Sequence, residues 1–142
     1  MDSLAGKIAV VTGAGSGIGR ALALAVARRG MSVALSDIQA DPLRETEGAI
    51  AALGVRTIAV RADVSRSADI ATLAARAWAE LGPVHLLFNN AGVGGKGGLL
   101  WEGSPDDWEW TLGANLWGVV HGIEGVEDHS PLLAACKIGL EL

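Results

Sequence analysis

Short apolar runs alternate with longer segments of helical period along this chain of 142 residues. Each run is rich in Val, Ile and Leu, which is typical of strands that are buried on both faces of a parallel sheet. The segments between the runs place apolar residues three and four positions apart, so a helix is predicted after each strand. The predicted strands are 8–12, 32–36, 55–60 and 84–88.

The ends of the predicted helices are marked by residues with known positional preferences. The last helix is predicted over 105–124, with Ser104 as its N-terminal cap and Pro105 in its first turn. The second helix is predicted to open with Asp41 as its cap. Glycines that follow a helical segment end the earlier helices at Gly30, Gly54 and Gly82.

The order of these elements predicts an α/β fold. Four strands, each followed by a helix, and right-handed crossovers give a doubly wound, Rossmann-like parallel sheet of strand order 3-2-1-4 with helices on both faces. Ligands bind such sheets at the carboxyl ends of the strands, here near the switch between strands 1 and 4. We expect residues 1–124 to form this domain and residues 125–142 to form a junction and a tail helix.

Composition and charge argue against several classes of function. The chain has 11 basic and 16 acidic residues, a net charge of −5, and no basic block, which argues against nucleic-acid binding. Its single cysteine excludes an intrachain disulfide and a cysteine-clustered zinc site, and no metal site is predicted. No apolar run approaches the roughly 20 residues that span a bilayer, so a cytoplasmic protein without membrane contact is expected.

A glycine-rich turn, TGAGSGIG at 12–19, leaves the first strand and enters a helix. Missing side chains at this place let a pyrophosphate approach the backbone N–H groups at the positive helix end. The glycines do not fit G-x-G-x-x-G, and no Gly-Lys-Ser/Thr of a P-loop follows them. A tight turn without any ligand would use the same residues.

Two acidic residues follow the next strands. Asp37 comes eighteen residues after Gly19, where a carboxylate accepts hydrogen bonds from an adenosine ribose and repels a 2′-phosphate. This favours NAD over NADP as the cofactor, although an Asp at this place also serves as a loop residue. Asp63 follows the third strand and could meet the adenine edge or open the next helix.

These motifs together resemble the short-chain dehydrogenase/reductase family. The resemblance covers about residues 7–123 and rests on the 12–19 turn, Asp37, Asp63, the Asn-Asn-Ala-Gly sequence at 89–92 and Asn115. It implies hydride transfer between a nicotinamide and a small alcohol or carbonyl substrate, and a subunit contact through the 105–124 helix. It also implies that the dinucleotide is bound by Gly13, Ser16, Gly17, Ile18, Gly19, Asp37, Asp63, Val64, Asn90, Ala91 and Gly92.

The family's catalytic tetrad is Asn, Ser, Tyr and Lys. The resemblance implies that Asn115 is its first member and distorts its helix; an ordinary polar helix residue is the alternative. The phenol of the family's Tyr exchanges the proton, yet these 142 residues include no Tyr. Aligned on Lys137, the tail resembles the start of the family's Tyr-x-x-x-Lys helix, with Leu133 at the Tyr position.

Seventeen residues separate Asn115 from Leu133, too few for the family's fifth strand and its catalytic Ser. We therefore expect that strand to be lost and Lys137 to be a catalytic remnant, although a short amphipathic helix arises easily by simple packing. Ser130 is expected to be a helix cap. The fourth strand would then present an open apolar edge unless the tail covers it.

Three functions follow from these patterns. The first is an NAD-dependent oxidoreductase of the short-chain type that is catalytically incomplete in this chain. The second is an NAD-binding module without catalysis. The third is a methyltransferase that uses S-adenosylmethionine, since these enzymes also place a glycine turn after strand 1 and an acid after strand 2. The Asn-Asn-Ala-Gly sequence argues against the third.

Overall fold

The computed structural model describes residues 3–127 in full and the backbone of 134–137. Strands and helices alternate up to the fourth strand, as the apolar pattern predicts. The elements are β1 Ile8–Thr12, α1 Gly17–Ala27, β2 Ser32–Asp37, α2 Ala40–Ala51, β3 Thr57–Arg61, α3 Ser67–Glu80, β4 Leu86–Asn89, a 3₁₀ turn Leu100–Glu102, α4 Pro105–Leu112, a π-helical segment Gly113–Trp117, α5 Gly118–Glu127 and β5 Ala134–Lys137.

The strands form one parallel sheet in the order β3-β2-β1-β4-β5. The chain starts at β1, moves outward to β3 and then crosses to β4 on the other side of β1. This confirms the predicted order 3-2-1-4, and the switch point lies between β1 and β4. Val10 at the centre of the sheet pairs with Ala34 on one side and Leu87 on the other.

Two apolar cores lie on opposite faces of the sheet. Successive residues of β1 alternate between them: Val10 belongs to the core beneath α3 and α5, and Val11 to the core beneath α1 and α2. Each fully buried Val, Leu or Ile contributes roughly 1.5–3 kcal/mol, so both faces must be covered by helices. In residues 3–127, none of the helices has the length and apolar character needed to cross a bilayer.

The side chain of Thr12 ties the end of β1 to the end of β4. Its hydroxyl donates to the carbonyl of Phe88 (3.3 Å) and accepts the N–H groups of Asn90 (3.1 Å) and Ala91 (3.0 Å). The Asn90 amide in turn donates to the Thr12 carbonyl at 2.9 Å. Thr12 is only 2% exposed, so these backbone groups depend on it in place of water.

Helix α2 begins two residues earlier than predicted. Gln39 occupies the cap position, and Asp41 lies in the first turn. The reason is local: the carboxylate of Asp37 accepts the N–H of Gln39 and fixes the helix entry, while the Asp41 side chain pairs with Arg44. The prediction of Asp41 as the cap is therefore wrong.

The predicted last helix is present but interrupted. Ser104 caps it as expected, since its hydroxyl accepts the N–H of Asp107 (3.3 Å). Hydrogen bonds from the Ser104 hydroxyl and N–H hold the pKa of the Asp107 carboxyl below its usual value. The helix continues through the π-helical segment to Glu127 rather than ending near residue 124. Its use as a subunit contact stays a prediction.

The last described segment is a strand and not a helix. Ala134–Lys137 pairs in parallel with β4, placing Lys137 beside Asn89 in the register. The predicted tail helix and the expected loss of a fifth strand are wrong here, because an open edge of β4 offers unpaired N–H and C=O groups to any short apolar run. Residues of the predicted tail thus belong to the same sheet. Ser130 and Leu133 lie outside the described residues.

Replacing Thr12 by Val tests how much the tie between β1 and β4 contributes. Thr12→Val keeps the shape but leaves the part-buried N–H groups of Asn90 and Ala91 without their acceptor, so we expect the free energy of unfolding to fall by about 1–3 kcal/mol. The measurement is urea denaturation. Thr72→Val is the control, because Thr72 is exposed on α3 and bonds only within its own helix; its effect should stay within about 0.5 kcal/mol. Equal effects of the two variants would contradict this role of Thr12.

Candidate functional site

A cavity of about 1020 Å³ opens at the carboxyl ends of the strands, beside the switch point between β1 and β4. Its walls are the turn between β1 and α1, the residues that follow β2 and β3, the segment after β4, and one face of α4 with the π-helical segment. The predicted dinucleotide residues all line it: Gly13, Ser16, Gly17, Ile18, Gly19, Asp37, Asp63, Val64, Asn90, Ala91 and Gly92.

The glycine turn forms the floor of this cavity. A Cβ at Gly19 would collide with the carbonyl of Gly13 and press on the Asn90 amide, so only glycine allows α1 to start this close to β1. Gly17 has φ +51° and open space where a Cβ would stand. The first turn of a helix leaves its N–H groups without intrahelical acceptors. The floor therefore offers donors and room to an anionic group.

Asp37 holds the glycine turn and also faces the cavity. One carboxylate oxygen accepts the N–H of Gly15 and the other accepts the N–H of Gln39, each at 2.9 Å. A carboxylate has about four acceptor sites, so Asp37 retains capacity for hydroxyl donors. Asp37 lies on the cavity as predicted, and it is the last residue of β2 rather than a loop residue.

Asp63 lines the cavity and also forms hydrogen bonds at the entry to the next helix. One of its oxygens accepts both the N–H (2.9 Å) and the hydroxyl (2.7 Å) of Ser65, which shapes the entry into α3. The neighbouring Val64 is 8% exposed and packs under Gly118, where a Cβ would lie 2.7 Å from a Val64 methyl carbon. The loop after β3 and the helix above it are thus in close contact.

The ionisable side chains on the cavity are all acidic. Its lining includes four carboxylates and, within the part of the chain that the structure describes, no Lys, Arg or His. An anionic ligand would depend on backbone donors, and each additional phosphate would meet further repulsion. The four residues are Asp37, Asp63, Asp106 and Glu109.

Asn115 lies in the π-helical segment, which agrees with the predicted distortion of its helix. Its amide forms two hydrogen bonds with the backbone of Val93: the oxygen accepts the N–H and the nitrogen donates to the carbonyl, both at 2.8 Å. Such π segments are frequent at functional sites. Asn115 holds the segment after β4 in place but does not itself line the cavity.

The other predicted catalytic residue, Lys137, lies at the end of β5, next to Asn89 in the register. Its backbone is therefore at the carboxyl edge of the sheet, the same edge as the cavity. The structure brings Lys137 to this edge on a strand, and its predicted place in a helix is wrong.

Sequence reasoning missed the helix wall of the cavity. Trp110 and Trp117 line it, with the small residues Gly113 and Ala114 between them. Their spacing of three and four residues marks one face of a helix, so that face could have been recognised once the helix was assigned. A second cavity of about 340 Å³ lies between the 94–103 segment and α4, and none of the predicted residues lines it.

Comparison with known proteins agrees with this geometry. The family model described as short chain dehydrogenase matches residues 7–132. The cyclohexanol dehydrogenase of Acinetobacter sp. is 36% identical over 117 residues, which are 82% of this chain and 47% of that protein. The chain spans about half the length of the curated relatives that it matches.

Solved structures give the same result. A short chain dehydrogenase/reductase from Burkholderia phymatum in complex with NAD has a TM-score of 0.87 and 47% identity, covering 92% of this chain and 46% of that one. A short chain dehydrogenase from Burkholderia cenocepacia in complex with NADP has a TM-score of 0.88 and 30% identity, covering 94% and 56%. This chain belongs to the short-chain dehydrogenase/reductase family.

Proposed function

We propose that the cavity at the switch point binds a nicotinamide adenine dinucleotide, and that NAD(H) is favoured over NADP(H). The observation that carries the proposal is the floor of the cavity, where the glycine turn and the start of α1 leave backbone donors beside open space. A diphosphate fits there, because it needs N–H donors and room for close backbone approach.

The strand order supports one orientation of the dinucleotide. With the diphosphate over the end of β1, the adenosine half extends toward Asp37 at the end of β2 and Asp63 after β3. The nicotinamide half extends toward Gly92 and Val93 after β4, where Asn115 holds the backbone of Val93. The bound cofactor would supply or accept hydride there, and this chain would hold and orient it.

Charge supports the preference for NAD(H). The Asp37 carboxylate can accept hydrogen bonds from ribose hydroxyls, whereas a 2′-phosphate at the same place would face a negative charge. The cavity offers no cationic side chain among its described lining residues to offset that repulsion. The solved relatives include complexes with NAD and with NADP, so the preference rests on these residues rather than on the family.

Family membership supports an oxidoreductase that acts on a small alcohol or carbonyl compound. The family's phenol donor is absent from these 142 residues, and the Asn115 amide is engaged by Val93. We therefore propose that a polypeptide of these residues binds the dinucleotide without turnover, either as a non-catalytic NAD-binding module or as part of a site that another polypeptide completes. Tighter binding of S-adenosylmethionine than of NADH would instead support a methyltransferase.

Isothermal titration with NADH and NADPH tests the binding proposal. We expect the wild-type chain to bind NADH more tightly, and Asp37→Asn to raise the affinity for NADPH relative to NADH by about tenfold, because the repelling charge is removed. The control is Asp41→Asn, since Asp41 is exposed in α2, pairs with Arg44 and does not line the cavity. If the wild-type chain binds neither NADH nor NADPH, the proposed function is overturned. An unchanged ratio in Asp37→Asn would overturn the role of Asp37 alone.

Assays of NADH oxidation with a panel of ketones and aldehydes test the absence of turnover. We expect the isolated wild-type chain to show no rate above background, because no phenol is present to exchange the proton. NADH binding measured on the same sample shows that the protein is folded. Measurable NADH consumption that disappears in Asn115→Ala or Lys137→Ala would show that this proposal is wrong.

A further inference from the structure

Trp117 is an aromatic side chain on the cavity wall that the binding proposal does not use. It is 53% exposed and lies at the end of the π-helical segment, two residues after Asn115. An exposed indole on the wall of a cavity presents a flat apolar surface to a ligand. Trp101, by comparison, is 79% exposed and lines neither cavity.

His121 holds Trp117 in place. The two rings stack with their centroids 6.2 Å apart and their planes at 27°. The Nδ1 atom of His121 lies 2.9 Å from the carbonyl oxygen of Val64. Since a carbonyl can only accept, Nδ1 carries the proton and donates it. His121 therefore connects the indole to the loop after β3.

The position on the helix assigns Trp117 to one half of the cavity. Residues two apart on a helix point to different sides, and Asn115 points to Val93 after β4. Trp117, through His121, is instead connected to Val64 after β3. In the proposed orientation this is the adenosine half.

The wall beside Trp117 is made of small residues. Gly113 and Ala114 separate Trp117 from Trp110 on the same face, and all four residues line the cavity. At Gly113 the helix lies so close to the loop after β3 that a Cβ would stand 3.1 Å from the Cβ of Ser65. A planar base entering this recess would meet an indole on one side and Val64 and Ser65 on another.

We propose that Trp117 is the wall on which the adenine base of the dinucleotide packs, and that His121 is a positioning residue that fixes the plane of the indole. This inference rests on the proposed binding of a dinucleotide in the same cavity. In this arrangement Trp117 recognises the planar base. The glycine turn would contact the phosphate groups, and Asp37 would contact the sugar.

Titration calorimetry with NADH and with ADP-ribose, which lacks the nicotinamide, tests the proposal. Trp117→Ala should weaken the binding of both ligands by at least about fivefold, because stacking of a base on an aromatic side chain contributes roughly 1–3 kcal/mol. Trp117→Phe keeps an aromatic wall and should stay within about twofold of the wild type. Trp101→Ala, the matched exposed tryptophan, should bind as the wild type does.

His121→Ala tests the positioning role. His121→Ala should weaken binding of the same two ligands. It should also shift the fluorescence emission of Trp117, which is obtained by subtracting the spectrum of a chain that carries Trp117→Phe from the spectrum of the same chain with Trp117. A melting curve for each variant checks that it remains folded. His121→Phe, which retains a stacking ring but cannot donate to the Val64 carbonyl, should recover only part of the affinity.

The outcomes separate the two proposals. If the wild-type chain binds neither ligand, the proposed function fails and this inference fails with it. If the wild type binds both and Trp117→Ala binds both equally well, only the role of Trp117 is overturned. A loss of NADH affinity without a loss of ADP-ribose affinity would place Trp117 at the nicotinamide end and would also overturn the assignment.

Discussion

The hydroxyl of Thr12 is the contact on which the site depends. Thr12 ends β1, which lies beside β4. Its hydroxyl forms hydrogen bonds with the carbonyl of Phe88 and with the N–H groups of Asn90 and Ala91, at the end of β4 and just after it. Asn90 returns the contact with its amide, which reaches the carbonyls of Thr12 (2.9 Å) and Gly13 (3.3 Å). The glycine turn and the segment after β4 are therefore joined by hydrogen bonds rather than being two independent loops.

The remaining walls of the cavity are attached to this floor by similar contacts. Asp37 connects the end of β2 to Gly15, and Asn115 connects the π-helical segment to Val93. Both side chains hold backbone in position through hydrogen bonds, and Asp37, which lines the cavity, keeps acceptor capacity toward it. A site of this kind binds by preorganisation, because the cost of ordering its loops is met when the chain folds.

The floor and the acidic residues could be predicted from the sequence because each depends on a short motif. A glycine turn between an apolar strand and a helix has one main structural meaning, and the acidic residues after β2 and β3 follow directly from the strand assignments. The tail could not be predicted in this way. Whether 134–137 forms a helix or a strand depends on the free edge of β4, which is almost fifty residues earlier in the chain, and periodicity does not include such partners.

The helix wall was missed for a related reason. Trp117 and His121 look like ordinary helix residues in the sequence. What distinguishes them is the carbonyl oxygen of Val64, which lies 2.9 Å from Nδ1 of His121 although the two residues are 57 positions apart in the chain. The predicted cap at Asp41 failed through a competing contact of Asp37 with Gln39. Local motifs therefore predict where the chain turns, while contacts between distant elements decide which side chains line the cavity.

In the proposed function, backbone donors of the glycine turn hold a dinucleotide diphosphate. Amide resonances of a ¹⁵N-labelled chain, followed during addition of NADH, show whether these donors meet the ligand. We expect the largest shifts on Gly13, Ser16, Gly17, Ile18 and Gly19, and no shift of the amides of 94–98 at the second cavity. Shifts confined to 94–98, or an unchanged spectrum at saturating NADH, would contradict the proposal.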